Sequence, residues 1–255
     1  MLVDSGKRFV AFFDLLGFGS WLDSDGSQEV FTYVRGFLNL MIRASLPGSV
    51  VHPDMTVTVN DASIGFINFS DSIVFYSRDD SLQCLDTMLR VSGEFMNAVI
   101  TGPSRMLRGG IAFGDFFADP EVNAYVGEAL IAAYKLEGAQ EWLGCSLAAS
   151  VTSHRHFHEL LTRYPQFIVR ALVPLSGTSE VPYALNWADK EFFSHISFNA
   201  ERGLDDCERR AFNSLTENEK ELKKLIRRME NTRAFVRHYN SIRNCPNKTS
   251  GRDAQ

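Results

Sequence analysis

The chain is 255 residues long, 45% hydrophobic and 12% aromatic, with 26 basic against 31 acidic side chains and a formal net charge of −5. That length suits one large domain or one domain with an appendage, and that apolar content excludes a disordered chain. The acidic balance argues against a nucleic-acid binder, while leaving room for a small anion held through metal ions.

The four cysteines, Cys84, Cys145, Cys207 and Cys245, are scattered and form no C-x-x-C pair. Free thiols are therefore expected, with neither a zinc site nor a disulfide framework. The N-terminal run MLVDSGKRFVAFFD places an acid before its basic residues and stops at Asp14, unlike a signal peptide. No apolar stretch approaches the roughly 20 residues that span a bilayer. A soluble, cytoplasmic protein is expected.

In chain order, RFVAFFD at 8–14 is β-branched and aromatic and reads as a buried strand ending at a glycine-rich turn. Apolar residues at Val30, Val34, Phe37, Leu38 and Met41 predict a helix over 28–45, ended by Pro47-Gly48. Strands are expected near 55–67 and 72–77, joined tightly through Asn68 to Asp71. Leu82, Leu85, Leu89, Met96 and Val99 mark a second helix, with Asp80 or Ser81 as its cap. Arg108 to Phe117 predicts a further strand, and Val126 to Trp142 a third helix. FIVRALVPL and YALNW suggest a late hairpin around Ser176-Gly177. The order β-α-β-β-α-β, followed by further helix and strand, is the ferredoxin-like pattern of an α/β (α+β) domain. We place this domain at 8–200, with its motif core at 8–140.

From about Asp205 the composition turns to Glu, Lys and Arg. Leu215, Leu222, Leu225, Met229, Val236 and Tyr239 near heptad spacing predict a long amphipathic helix or helix pair over 205–243. It could lie on the domain or on a second subunit. Residues 244–255 read as a disordered tail.

Three stretches bear on chemistry: FFDLLGFG at 12–19, FSDSIVFY at 69–76, and RGGIAFG at 108–114 with YVGEALIAAYKLEGAQ after it. An aspartate before a helix is ordinarily a cap, and one between strands is ordinarily a turn residue. In a β-α-β-β core, however, the end of the first strand and the later hairpin are neighbours. Asp14 and Asp71 are therefore expected side by side, where mutual repulsion calls for a cation, and hard divalent ions take oxygen ligands. Glycines after Asp14 allow backbone N–H groups to face a phosphate. Other candidates are weaker. His154, His156 and His158 read as surface residues, GCSLA at 144–148 lacks a nucleophile elbow's second glycine, and there is no phosphate-binding P-loop.

Together, FFDLLGF, FSDSIVF, RGGIAFG and VGEALIAAYKLEGA resemble, in the right order, four motifs of the class III nucleotidyl cyclases. That resemblance implies that Asp14 and Asp71 hold two divalent cations, Mn²⁺ or Mg²⁺, with the Leu15 carbonyl as a third ligand. It implies that Gly17, Phe18 and Gly19 cradle a triphosphate. Lys135 falls on the family's transition-state arginine, keeping the charge but losing the bidentate fork. The chain departs from the pattern at Ile131, where the family has an asparagine. It departs again at Ile67 and Ala124, on the positions that read a purine base, and neither side chain can hydrogen-bond. With those departures the chain is similar to the bacterial pyrimidine cyclases of antiphage (Pycsar) systems. The implied function is a lyase converting UTP to 3′,5′-cyclic UMP and pyrophosphate in a homodimer with shared active sites, whose product is read by a separate cyclic-nucleotide-binding effector. The alternatives are a cytidylate cyclase, an adenylate cyclase with a rebuilt pocket, and a catalytically dead nucleotide sensor.

Overall fold

The computed structural model describes residues 4–171, 173–176, 182–189, 192–193, 199–214 and 219–243. Its spine is β1 (Asp4–Leu15), longer at both ends than the expected strand. After it come α1 (Phe18–Asp25), α2 (Ser27–Tyr33), a π-helical turn (Val34–Leu38) and α3 (Asn39–Ser45). The single helix expected over 28–45 is therefore interrupted, and the preceding segment is helical as well. Gly26, at φ 84°, separates α1 from α2 in a conformation that L side chains resist.

The strand expected over 55–67 divides in two. Ser49–Val51 (β2) and Val57–Val59 (β3) form a separate small hairpin, and β4 (Ile64–Phe69) starts anew after the Asp61 carboxylate accepts the Ser63 N–H at 2.7 Å. A two-residue turn, Ser70–Asp71, leads to β5 (Ser72–Ser77), with Phe69 opposite Ser72. Ser81 caps α4 (Leu82–Thr101) by accepting the Cys84 N–H, deciding between the two expected caps. Next are β6 (Leu107–Asp119), β7 (Ala124–Val126) and α5 (Glu128–Ala139). The helix expected from Val126 starts later because Gly127 is extended and pressed on the Asp115 carbonyl, which leaves no room for a Cβ.

Then follow β8 (Cys145–Leu147), the short helices α6 (Ala149–Thr152) and α7 (Phe157–Arg163), and the paired strands β9 (Ile168–Arg170) and β10 (Tyr183–Leu185). The last two are the expected late hairpin, although Gly177 lies outside the described residues. Two helices end the described chain, α8 (Ala200–Ser214) and α9 (Glu219–Arg243). Leu215 and the expected tail at 244–255 lie outside the described residues.

The main sheet runs β4-β5-β1-β6-β8-β10-β9, with β7 on the edge of β6. Its first four strands are antiparallel neighbours in the ferredoxin-like order, so the expected α/β class is present. Strand alternation sorts β1 into two faces. Phe9, Ala11, Phe13 and Leu15 enter the main core with α3 and α4, while Val10 and Phe12 join Val74, Phe116, Ala118 and Ala129 on the other face. There α5 lies against β6 at a distance only glycine permits, since a Cβ on Gly110 would meet the Ala133 carbonyl at 2.7 Å. Leu204, Cys207, Ala211, Leu225, Met229 and Val236 of α8 and α9 are buried in the main core, so the expected helix pair lies on the domain. No helix among the described residues is long and apolar enough to cross a membrane. Cys84, Cys145 and Cys207 are free and buried, as expected of thiols, while Cys245 is outside the described residues.

Candidate active site

Asp14 is the penultimate residue of β1, on the face shared with Phe12, and its register neighbours are Ser72 of β5 and Arg108 of β6. It caps no helix. The N-cap of α1 is Gly17, which makes no side-chain cap bond. Asp71 lies in the turn beside it, and the Leu15 N–H donates to the Asp71 carbonyl at 3.1 Å, tying the strand end to the hairpin. The two carboxylates separated by 57 positions are thus neighbours, and Asp71 raises the Asp14 pKa by its charge.

A third carboxylate completes the cluster. Glu137, on the inner face of α5, is 3% exposed and accepts from Arg108 Nε at 2.5 Å. Burial holds the Asp14 carboxyl up at about 7, with the charges of Glu137 and then Asp71 adding to it, against Arg108 and a Ser72 hydrogen bond that lower it. Glu137 is itself raised by burial, and Arg108 opposes that rise. Asp14 thus feels two neighbouring carboxylates against the single guanidinium of Arg108, a load that a bound cation relieves, while Arg228 joins Arg108 in opposing the rise of Glu137.

No three His, Cys, Asp or Glu side chains among the described residues form a closed metal cage. Two carboxylates with an open side match instead the way Mg²⁺-like ions bind, through one or two carboxylates and substrate phosphates. Asp14 and Asp71 are the side chains here that could hold divalent cations.

The adjoining turn is shaped for backbone exposure. Gly17 has φ 79°, Gly19 has open space where a Cβ would stand, and Phe18 is half-buried with its ring edge-on to Trp21. Lys135 and Ile131 are elsewhere. Both are on the exposed face of α5, Ile131 at 54%, turned away from Glu137. Residues two apart on a helix point about 200° apart, so Lys135 cannot share Glu137's approach to Asp14 in the same chain.

Ile67 is half-buried on β4 among Phe12, Val74 and Tyr76. Ala124 is exposed on β7, paired with Asp119, and its neighbour Tyr125 packs into the cluster that holds Ile67. The expected histidine triplet divides as well, since His154 is half-buried between the rings of Phe9 and Phe113 while His158 is exposed.

No protein-family model matches the chain, and no curated protein is detectably similar to it in sequence. Solved structures with a similar shape include a bacterial light-regulated adenylyl cyclase at 12% identity and TM-score 0.47, matched over 80% of this chain and 56% of that one. The chain therefore spans little more than half the length of that protein. A second is the catalytic core of a rhodopsin-guanylyl cyclase with converted specificity in complex with ATPαS, at 12% identity and TM-score 0.46 over 71% and 94% of the two chains. A third comes from a set of Trypanosoma brucei adenylate cyclases in their monomeric state, at 14% identity and TM-score 0.43 over 72% and 91%. At such scores the likeness is one of shape and says nothing about activity.

Sequence reasoning missed the support beneath the carboxylates. Arg108 also donates to the Gln140 carbonyl at 2.6 Å. The fully buried Gln140 side chain bonds the Gly109 carbonyl and accepts from Trp142 Nε1. The signal was present in RGG at 108–110 and LEGAQ at 136–140, where a charge stands next to small and apolar residues at the buried start of the strand and its opposite on the apolar face of the helix. The clue was that such charges are buried only when paired.

Proposed function

We propose that the chain is a nucleotidyl cyclase that converts UTP to 3′,5′-cyclic UMP and pyrophosphate, working as a homodimer whose sites are shared between chains. The observation that carries this reading is the convergence of Asp14 and Asp71 with Glu137 at one sheet end, beside a glycine turn. The order of the four cyclase-like motifs supports it. In this reading residues 8–140 hold the catalytic motifs, and the helices of 205–243 extend that unit.

Asp14, Asp71 and the Leu15 carbonyl would hold the two cations, Mn²⁺ or Mg²⁺. When bound, these supply Lewis-acid activation of the ribose 3′-hydroxyl and neutralise the departing diphosphate. The Gly17-Phe18-Gly19 turn presents backbone N–H groups to the triphosphate. Arg108 and Glu137 hold the strand end in place and set the charge around Asp14. The 3′-hydroxyl releases its proton to water, its oxygen attacks the α-phosphorus, and the new O–P bond forms as the bond to the leaving diphosphate breaks. Lys135 of the partner subunit offsets charge on the α-phosphoryl group, an effect of about 2.7–4 kcal/mol for a typical single donor. The side chains of Ile67 and Ala124 themselves offer no hydrogen bond to a purine edge, and a buried polar edge left unpaired is costly. That absence favours a pyrimidine, with CTP the runner-up to UTP. The resemblance to Pycsar cyclases implies that the product would be a second messenger in antiphage defence, read by a separate effector.

A second reading, a catalytically silent nucleotide sensor, draws on Ile131, which replaces the family's asparagine. One assay separates the two. Purified chain with Mn²⁺ is incubated separately with UTP, CTP, ATP and GTP, and the products are resolved by mass spectrometry. Cyclic UMP in excess over the other cyclic nucleotides is expected. ATP as best substrate overturns the pyrimidine assignment, and nucleotide binding without any cyclic product favours the sensor.

A further inference from the structure

Beside the Gly17 turn, on the core side of the sheet, is a cavity of about 260 Å³ walled by the end of β1, the flank of α1, the segment entering β6, and α8. Two guanidiniums line it. Arg105, just before β6, has its guanidinium carbon 3.5 Å from the Trp21 ring centroid and 5.3 Å from that of Tyr33, which fixes its plane. Its Nε is shielded from solvent and has no hydrogen-bond partner. Arg210 reaches the same cavity from the exposed side of α8. Neither arginine has a carboxylate in ion-pair contact among the described residues. The carboxylate that shares the cavity, Asp25, is already engaged by Trp21 Nε1 at 2.9 Å and Ser24 Oγ at 2.6 Å.

We propose that this cavity is an anion site that takes a phosphate or diphosphate group between Arg105 and Arg210. Planar guanidiniums match phosphate oxygens in bidentate geometry, and an aromatic shelf under one of them lowers the entropy of holding it in place. Burial lowers the Arg105 pKa and the like charge of Arg210 adds to that, while Tyr33 and the Asp25 carboxylate oppose the fall, and a bound anion would oppose it further. The volume lies at the low end of the roughly 300–1,000 Å³ of ligand cavities, ample for a phosphate or diphosphate group. Because the Gly17 turn is one of its walls, the group could come from the terminal phosphates of a nucleotide or from free diphosphate. In either case α8 contributes to ligand binding through Arg210. The site uses neither Asp14 nor Asp71, and shares with the cyclase reading the Gly17-Phe18 segment.

The test is titration calorimetry of the full chain with inorganic pyrophosphate at low salt in the presence of a chelator, so that neither metal nor turnover enters. Saturable binding is expected. Arg105→Gln and Arg210→Gln should each weaken it about tenfold or more, as the loss of a charged hydrogen bond does. Arg210→Lys should fall between, and Asp14→Asn should bind no worse than wild type. Arg210 is exposed, so its variants report on binding even if Arg105→Gln is found by melting to be unfolded. Repeating the titration with saturating UTP distinguishes the sources: loss of pyrophosphate binding assigns the site to the nucleotide's own phosphates, and undiminished binding assigns it to a separate anion. Wild-type chain that does not bind pyrophosphate, or folded Arg210→Gln that binds it as tightly as wild type, overturns the proposal. Failure of cyclisation with binding intact overturns only the cyclase reading.

Discussion

The two faces of α5 make opposite contributions. Its inner face, Ala129, Ala133 and Glu137, is buried against β1 and β6, and there Glu137 pairs with Arg108 and raises the Asp14 pKa. Its outer face carries Ile131 at 54% exposure and Tyr134 at 57%, with Lys135 exposed one turn beyond Ile131 and on its other side. Tyr134 still touches the sheet side, its ring edge-on to Phe12 at 5.3 Å. One twelve-residue helix therefore holds a residue that shapes the carboxylate cluster within its own chain and another that can serve such a cluster only on a different chain. A motif read as a contiguous string conceals this, because neighbours in sequence are opposite in space.

The largest effect expected is at the sheet end. Asp14→Asn or Asp71→Asn should lower cyclic-nucleotide formation by at least about a hundredfold, on the scale of losing a principal charge-stabilising group. Product quantified by mass spectrometry tests this, and appreciable residual turnover would contradict their assignment as ligands.

Mixing probes the division of α5 directly. An Asp14→Asn homodimer and a Lys135→Ala homodimer are each expected to be inactive. After subunit exchange, random pairing makes half the dimers mixed, each with one intact site of two, so activity should approach about a quarter of wild type. Activity that stays at the sum of the parents, with exchange demonstrated by differential tagging, would place Lys135 in the same chain's site.

Within one chain the inner face can be broken separately. Arg108→Met leaves Glu137 buried and unpaired and should destabilise the fold by about 3–5 kcal/mol. Gly110→Ala forces a Cβ against the Ala133 carbonyl and should cost about 1–3 kcal/mol. Chemical denaturation measures both. Stability unchanged by Arg108→Met would mean that the pair is not buried as described.

A further effect concerns pH. The Asp14 carboxyl stands at about 7 in the folded chain against 3.8 for the ordinary group, so folding favours its protonated form. That contribution is fully present below about 3.8, declines as pH rises and is lost above about 7. In chelator, the melting temperature of wild type should therefore fall relative to Asp14→Asn between those limits, and the variant should be the more stable at pH 8. Parallel melting curves for the two proteins across that range would contradict the raised value.

Much of this could be read in advance. The β-branched and aromatic run RFVAFFD gave a buried strand, the apolar spacing of 82–99 gave α4, and FSDS between two apolar runs gave the hairpin that carries Asp71. Local periodicity is decisive for such elements because a wrong face would expose an entire row of large side chains. The irregular regions were less legible. The split of 55–67 into β3 and β4, and the breaks at Gly26 and around the π-helical turn, depend on single hydrogen bonds and backbone angles that leave almost no mark on periodicity.

The sequence by itself determined the residue types of the site and their order: two aspartates, a glycine turn, a lysine on a helix, and a pair of opposite charges set in apolar segments. Only the tertiary structure decided which of them meet. Asp14 and Asp71 converge because β5 is the antiparallel neighbour of β1, and Glu137 joins them because Gly110 lets α5 approach β6 closely. Lys135 stays outside for the opposite reason. A helix packed on a sheet must turn one side to solvent, and which side that is depends on the partner surface, not on the helix's own sequence alone.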